Sequence, residues 1–560
     1  MPAKPSAQPD RPAATARHSP WLMLTVLCLA FFMILLDTTI VNIAVPDLTV
    51  SLPADLDQLL WIVNAYTLTY ATLLITGGRL GDLYGQKRLF LVGLALFTAA
   101  SAACGLAQGP TWLVLTRIAQ GIGGAMLTPQ TLAILTVVFP VQRRGTAYGI
   151  WGGVAGLATI AGPTVGGWLV TGFGWRWIFY VNVPVGLATL VLAAIVLPDL
   201  QFNRRHRLDW MGTSLASLGL LLLCFGLIEG PSHRWGQVWG PVSIPVLLAA
   251  GVGVLGLFGW QQVRHRDREP LVPAGVFADR NFALMSAVLA AVSFGMLGLM
   301  LPLVIFLQSV LSLTALQAGL VLAPMSLASV ATAPLAGRMA DRYGGKDVLV
   351  TGLVLWAGGV GLVWWATGPY LDRGRLITGL VIAGLGLGTT FAPLQSIAMR
   401  NISPQLAGAA AGLTNTTRQL GAVLGSAAVG ALLQAQLATQ LGRSAQENVN
   451  ALPQSFRPRF LAGFAQAASG RGLAVGAGQR GGHLPAGIPS SIRPAIEQVA
   501  MKTFYEAYIP AMKTTLILPV VVLALAALGA VLVRRPQPVT EPDPGGTPIP
   551  DRADPAVTLP

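Results

Sequence analysis

The sequence predicts an all-α polytopic membrane protein of about fourteen spanning helices. Three observations carry that reading. Of 560 residues, 53% are hydrophobic and only 10% charged, where a soluble domain carries about 25% charged residues. Apolar runs recur along most of the chain, each near the roughly 20 residues that a spanning helix needs. The basic residues fall in short clusters between those runs. At a mean hydropathy of +0.64, a soluble fold could not cover its surface, so lipid must be the solvent for most of the chain. The 65 glycines suit helices that pack through small residues.

The runs place spans at about 21–46, 59–78, 89–107, 112–139, 145–171, 176–198, 211–229, 240–261, 281–307, 316–336, 348–367, 375–399, 406–432 and 511–533. An even number puts both termini on one side. On the side of the termini, the loops hold Arg79, Lys87, Arg88, Arg143, Arg144, Arg204, Arg205, Arg207, Arg264, Arg266, Arg268, Arg280, Arg338, Arg342, Lys346 and Arg400, and the tail begins with Arg534 and Arg535. The short loops of the other side hold only Arg176, Arg234, Arg373 and Arg375, and the first of them is acidic, with Asp47, Asp55 and Asp57. Positive charge collects inside, so both termini are expected in the cytoplasm and the chain in the cell membrane. The same clustering accounts for the net charge of +14 without a nucleic-acid partner.

The first run begins at Trp21 and is long enough to span, with no small-residue cleavage site after it. Cys28, Cys104 and Cys224 all lie in apolar runs, so no disulfide framework or zinc site is readable. His18, His206, His233, His265 and His483 are scattered over loops. No Walker motif, nucleophile elbow or HExxH occurs, so neither an enzyme nor a metal or cofactor is expected.

A repeat divides the chain. Gly78-Arg79-Leu-Gly-Asp82-Leu-Tyr-Gly85-Gln-Lys87 returns as Gly337-Arg-Met-Ala-Asp341-Arg-Tyr-Gly344-Gly-Lys346. Each copy follows the second span of a group of six, as in chains built of two parallel six-helix repeats. The expected plan is a disordered cytoplasmic segment 1–20, a six-helix bundle over 21–198 and a linker 199–280 with two inserted helices. A second six-helix bundle follows over 281–533, with a long extracytoplasmic loop 433–510, and then a disordered cytoplasmic tail over 534–560.

The repeated loop resembles the signature of the major facilitator superfamily. Leu36-Asp37-Thr-Thr-Ile-Val-Asn42-Ile-Ala-Val-Pro46 resembles the first-helix motif of its fourteen-helix drug:proton antiporters. Further resemblances are Trp61-Ile-Val-Asn-Ala-Tyr66, Arg117-Ile-Ala-Gln120-Gly-Ile-Gly-Gly-Ala, Gly162-Pro163-Thr-Val-Gly166-Gly167, the Trp175–Pro184 stretch that contains Asn182, and Asn415-Thr-Thr-Arg418-Gln419-Leu-Gly. They cover about 21–432 and 511–533. The resemblance implies the major facilitator fold and a proton-coupled antiporter that exports drugs or other lipophilic compounds by alternating access. A same-fold exporter of a lipid, siderophore or metabolite, or a non-transporting scaffold or receptor, remains an alternative reading of the residues.

Asp37 stands mid-membrane, where an ionised acid costs ~2.5 kcal/mol or more, so it is the expected proton carrier, with Arg117 beside it. Gly78, Arg79, Asp82, Gly85, Lys87 and Arg88, and Gly337, Asp341, Gly344 and Lys346, are expected to gate the cytoplasmic face, the glycines serving a tight turn. Glycines four apart, with Pro163 kinking the helix, give the antiporter motif. Asn42, Trp61, Tyr66, Gln120, Gln130, Asn182, Asn415, Arg418 and Gln419 are expected to line the cavity. One buried acid against two bases, Arg117 and Arg418, favours neutral or singly charged cargo over rigid dications. The expected partners are a small lipophilic substrate, protons and membrane lipids, with the chain acting as a monomer.

Overall fold

The structure is a computed structural model and describes residues 18–52, 56–199, 209–230, 233, 235–264, 279–367, 372–403, 406–468 and 493–533. The expected disorder of 1–20 and 534–560 falls outside them except at 18–20, where Ser19 caps the first helix and Pro20 begins it. The first group of helices comprises α1 (Pro20–Ser51), α2 (Leu56–Tyr84), α3 (Gln86–Gly105), α4 (Pro110–Val138), α5 (Val141–Phe173), α6 (Trp177–Tyr180) and α7 (Asn182–Val196). Next come α8 (Trp210–Glu229), a hairpin of β1 (Gln237–Trp239) and β2 (Val242–Ser243), and α9 (Ile244–Arg264). The second group comprises α10 (Arg280–Ile305), α11 (Ala315–Tyr343), α12 (Lys346–Ala366), α13 (Arg373–Ala398), α14 (Ala407–Asn448), α15 (Arg457–Ala468) and α16 (Arg493–Val531).

Among the described residues, twelve helices are long and apolar enough to cross a membrane. Two further helices, α2 and α5, run 29 and 33 residues, which at 1.5 Å per residue exceeds the roughly 30 Å of a bilayer core. The total is consistent with the expected fourteen. The sixth span is broken at Val181 between α6 and α7. Pro184 supplies no N–H and its ring crowds the carbonyl four residues back, at Tyr180, which is where α6 ends.

In the first group α1 packs on α5 and α7, and α4 on α2 and α3; in the second, α13 packs on α11 and α12, and α10 on α14 and α16. The groups meet where α5 lies against α11 and α2 against α14. The pair α8–α9 sits outside both. Ala216, Leu220 and Cys224 of α8 bury against Leu68, Ala71 and Ile75 of α2, with Leu413 and Leu420 of α14 beside them. The inserted helix therefore covers one seam between the groups.

The described parts of 433–510, residues 433–468 and 493–510, are not a bare loop, and 469–492 lie outside the described residues. Helix α14 runs on to Asn448 because Leu433, Leu437, Leu441 and Ala445 recur every four residues and are all buried. Its extension, α15 and the start of α16 close a separate small core of Ala445, Leu452, Phe460, Ile496 and Ala500. Asn448 Nδ2 donates to Glu506 Oε2 at 2.6 Å across it.

Candidate functional site

The first site is built around Asp37, which is wholly enclosed midway along α1. Arg117 of α4 donates through Nη1 to Asp37 Oδ2 at 2.5 Å, with 1% and 0% of the two side chains exposed. The other carboxylate oxygen, Oδ1, accepts from Gln120 Nε2 at 2.8 Å and Asn182 Nδ2 at 3.2 Å. Arg117 also donates to Gln120 Oε1 (2.8 Å) and to the Ile62 carbonyl (3.1 Å). Its guanidinium lies 4.3 Å from the Tyr66 ring centroid, where the ring face attracts a cation. Asn182 also donates to Ser101 Oγ at 3.1 Å, and Ser101 in turn donates to the Phe179 carbonyl at 2.9 Å. Side chains of α4 and α7 thus hold one carboxylate of α1, and α7 reaches it because the break at Val181 starts that helix at Asn182.

Helix α5 packs directly behind. A side chain at Gly162 would strike Thr39 Oγ1 at 2.2 Å, and one at Gly166 would meet Ile40 at 2.7 Å, whereas Gly167 faces open space. The motif glycines let α5 approach α1 next to Asp37. The side chains of Asn42 and Pro163 lie outside the described residues.

The second site is the pair of repeats, at one end of the bundle. Asp82 accepts from the backbone N–H groups of Gly408 (3.0 Å) and Ala409 (2.8 Å), in the first turn of α14, where the helix dipole favours an anion. Asp341 accepts from the N–H groups of Gly145 (2.7 Å) and Thr146 (2.8 Å) and from Thr146 Oγ1 (2.8 Å) in α5. Each repeat thereby grips the opposite group of helices. The glycines divide into two kinds. Gly85 and Gly344, with φ of +97° and +94°, make the turns that the sequence predicted. Gly78 and Gly337 lie inside helices, where a Cβ would stand 2.5 Å from the Gly408 carbonyl oxygen and 2.2 Å from that of Gly145; they permit the two helix crossings.

The remaining loop residues act differently from one another. Lys87 Nζ donates to the Ala194 and Leu197 carbonyls at 2.8 and 2.6 Å, closing the end of α7 within its own group. Arg79 is buried and Arg88 exposed, while Lys346 is half-buried.

At the opposite end, a cavity of about 290 Å³ opens between the groups, lined by Asn64, Ile228, Leu301, Ile305, Ser426 and Gln434 among others. Of the polar residues expected to line a cavity, Gln120, Asn182 and Tyr66 join the Asp37 cluster. Trp61 faces Phe225 of α8 at 5.8 Å. Gln130 donates to the Gly77 carbonyl at 2.8 Å, and Asn415 to the Ala411 carbonyl of its own helix at 2.9 Å. Arg418 Nη2 donates to Tyr70 OH at 3.4 Å, and Tyr70 donates to Thr128 Oγ1 at 3.2 Å; Gln419 beside it is half-buried. Ser101, Tyr70 and Thr128 had no sequence signal, since a lone serine, threonine or tyrosine in an apolar run reads as a packing residue.

The family model of the Major Facilitator Superfamily matches residues 27–426. The chain belongs to the major facilitator superfamily. It is therefore a multi-pass membrane transporter and not an enzyme. Within the superfamily the chain is 39% identical over 460 residues to an uncharacterized MFS-type transporter of Mycobacterium tuberculosis, covering 80% of this chain and 78% of that one. It is 36% identical to the tetracenomycin C resistance and export protein of Streptomyces glaucescens, covering 78% and 80%. It is 35% identical to a probable actinorhodin transporter of Streptomyces coelicolor, covering 77% and 75%. Among solved structures, the human organic anion transporter MFSD10 (TETRAN) aligns with a TM-score of 0.57 at 14% identity, over 90% of this chain and 100% of that one. The major facilitator proton:xylose symporter XylE aligns at 0.52 with 13% identity, over 73% and 87%. At such identities the likeness is one of fold.

Proposed function

We propose that the protein is a proton-coupled antiporter that exports lipophilic small molecules across the cell membrane by alternating access. The enclosed Asp37–Arg117 pair carries this reading. An acid sealed mid-membrane against a permanent cation, with two amides completing its shell, is costly and is explained by a proton that comes and goes. When Asp37 is protonated, Arg117 loses its counter-charge and keeps only Gln120, the Ile62 carbonyl and the Tyr66 ring, so the contacts joining α1, α2, α4 and α7 differ between the two protonation states. The relatives named for resistance and export support outward transport of natural-product-like compounds.

The repeats supply the gate. With both termini cytoplasmic, as the loop charges indicate, the repeat end is the cytoplasmic face; Asp82 and Asp341 latch it shut while the cavity opens to the other side. The halves are then 21–198 and 281–533, with 199–280 inserted and 433–510 extracytoplasmic, and the chain acts as a monomer. The experiment is export of a lipophilic dye from proteoliposomes with an imposed proton gradient, wild type against Asp37→Asn. Gradient-driven flux that the substitution abolishes is the expected result.

A further inference from the structure

The bundle holds a second membrane-buried cation that the proton site does not use. Arg418 sits on α14 at its junction with α2 and α4. Its side chain is half-buried, and its described polar contact is the long 3.4 Å bond to Tyr70. Its Nε is enclosed and without a hydrogen-bond partner, as is the hydroxyl of Tyr66, whose ring stacks on that of Tyr70 with centroids 5.8 Å apart. Among the described residues, no ion pair involves Arg418. Asp37 is committed to Arg117, and Glu229, at the far end of α8, stands 3.5 Å from His233. A cation in a membrane span is expensive unless something answers its charge, and a buried donor left unpaired costs about 1–3 kcal/mol. Both debts fall in one place, on the seam between the halves.

We propose that Arg418 is the cargo-recognition cation: it takes an ionised carboxylate or phenolate on a lipophilic cargo molecule. The guanidinium fork suits two anionic oxygens, and Tyr70 holds it toward the seam. The body of the molecule has a place to lie. Ser426 and Gly430, in the wall of the 290 Å³ cavity, stand two and three turns further along the same helix, about 12 and 18 Å from Arg418. Leu227, Ile228, Leu301 and Ile305 make that wall apolar, which selects a lipophilic anion over an inorganic one. Because Leu227 and Ile228 belong to α8, the inserted helix forms part of the chamber. This inference rests on the export reading for its meaning, but it can be tested without transport.

The test uses the full-length protein in nanodiscs and a matched pair of probes, dansylaminooctanoic acid and its methyl ester, followed by dansyl fluorescence. Wild type should bind the acid about 10-fold or more tightly than the ester, the worth of one charge-assisted hydrogen-bonded contact. Arg418→Gln should remove that preference while leaving the affinity for the ester within about 2-fold; the unchanged ester affinity shows that the variant is folded. Arg418→Met, which keeps an unbranched apolar stem without the charge, serves if the Gln variant does not fold. A wild type that binds the acid no better than the ester, or binds neither, overturns the proposal, and so does a preference that survives loss of the arginine. Flux of the bound acid in proteoliposomes is read separately: binding without export would refute the export reading and leave Arg418 as the anion site.

Discussion

Arg117 Nη1 stands 2.5 Å from Asp37 Oδ2, and neither side chain exposes more than 1% of its surface. The two partners are not equivalent when separated. Asp37 left alone can take a proton and become neutral, whereas an arginine cannot lose its charge in a protein. Asp37→Asn should therefore destabilise the protein more than Arg117→Gln, with both variants still inserting and folding. The double variant should fall short of the summed losses by about 1–3 kcal/mol, the scale of a coupled pair. Denaturant unfolding in detergent measures all three. Additivity to within about 0.5 kcal/mol would mean that the pair is not coupled.

The latches make a prediction about shape. Asp82→Asn keeps one oxygen and loses the other acceptor, so one of the N–H groups of Gly408 and Ala409 is left unsatisfied, at about 1–3 kcal/mol. The population open at the repeat end should rise by roughly 5-fold or more. Spin labels at Tyr84 and Tyr343, which are 61% and 66% exposed on opposite groups, report it by distance. Cys28, Cys104 and Cys224 are buried and should label little. An unchanged distance distribution would remove Asp82 from the gate.

Gly78→Ala tests the same gate sterically. Its Cβ would stand 2.5 Å from the Gly408 carbonyl oxygen and 2.9 Å from the Gly412 Cα, both backbone atoms that cannot swing aside. The variant should resemble Asp82→Asn in the spin-label measurement. Gly167→Ala, facing open space, should leave the distances as in the wild type. Equal effects of the two alanines would indicate that the crossing is not what the glycine serves.

The small helical core built from 445–468 and 493–509 should be outside the membrane and separable from transport. Phe460→Ala removes its most deeply buried ring, 8% exposed and 4.7 Å from that of Phe464. Hydrogen exchange should then quicken in 445–468 and 493–509 alone, while dye export persists. A cysteine at exposed Ser455 should react with an impermeant thiol reagent added to intact cells once any outer barrier is opened. Labelling only after lysis would reverse the orientation, including that of the termini.

The sequence made the membrane class, the doubled plan and the residues around Asp37 readable, because hydropathy and motifs are local. It did not show that Asp37, Arg117, Gln120 and Asn182 converge, since their contacts are 80 to 145 residues apart and are made by helix packing. Gly78 and Gly337 read as turn glycines because their role depends on a helix from the other half. The extension of α14 was hidden by polar composition: the four-residue spacing of Leu433, Leu437 and Leu441 signals a helix face, but hydropathy averages it away. Arg418 was visible as a buried base; its unanswered Nε was not.

The account turns on Asp37 as the group that couples proton movement to export. The most direct measurement is uphill dye export by Asp37→Asn in proteoliposomes, beside dye binding by the same preparation. The account predicts that binding persists and that gradient-driven export is lost. Export by the variant at the wild-type rate, against a dye gradient, would contradict it.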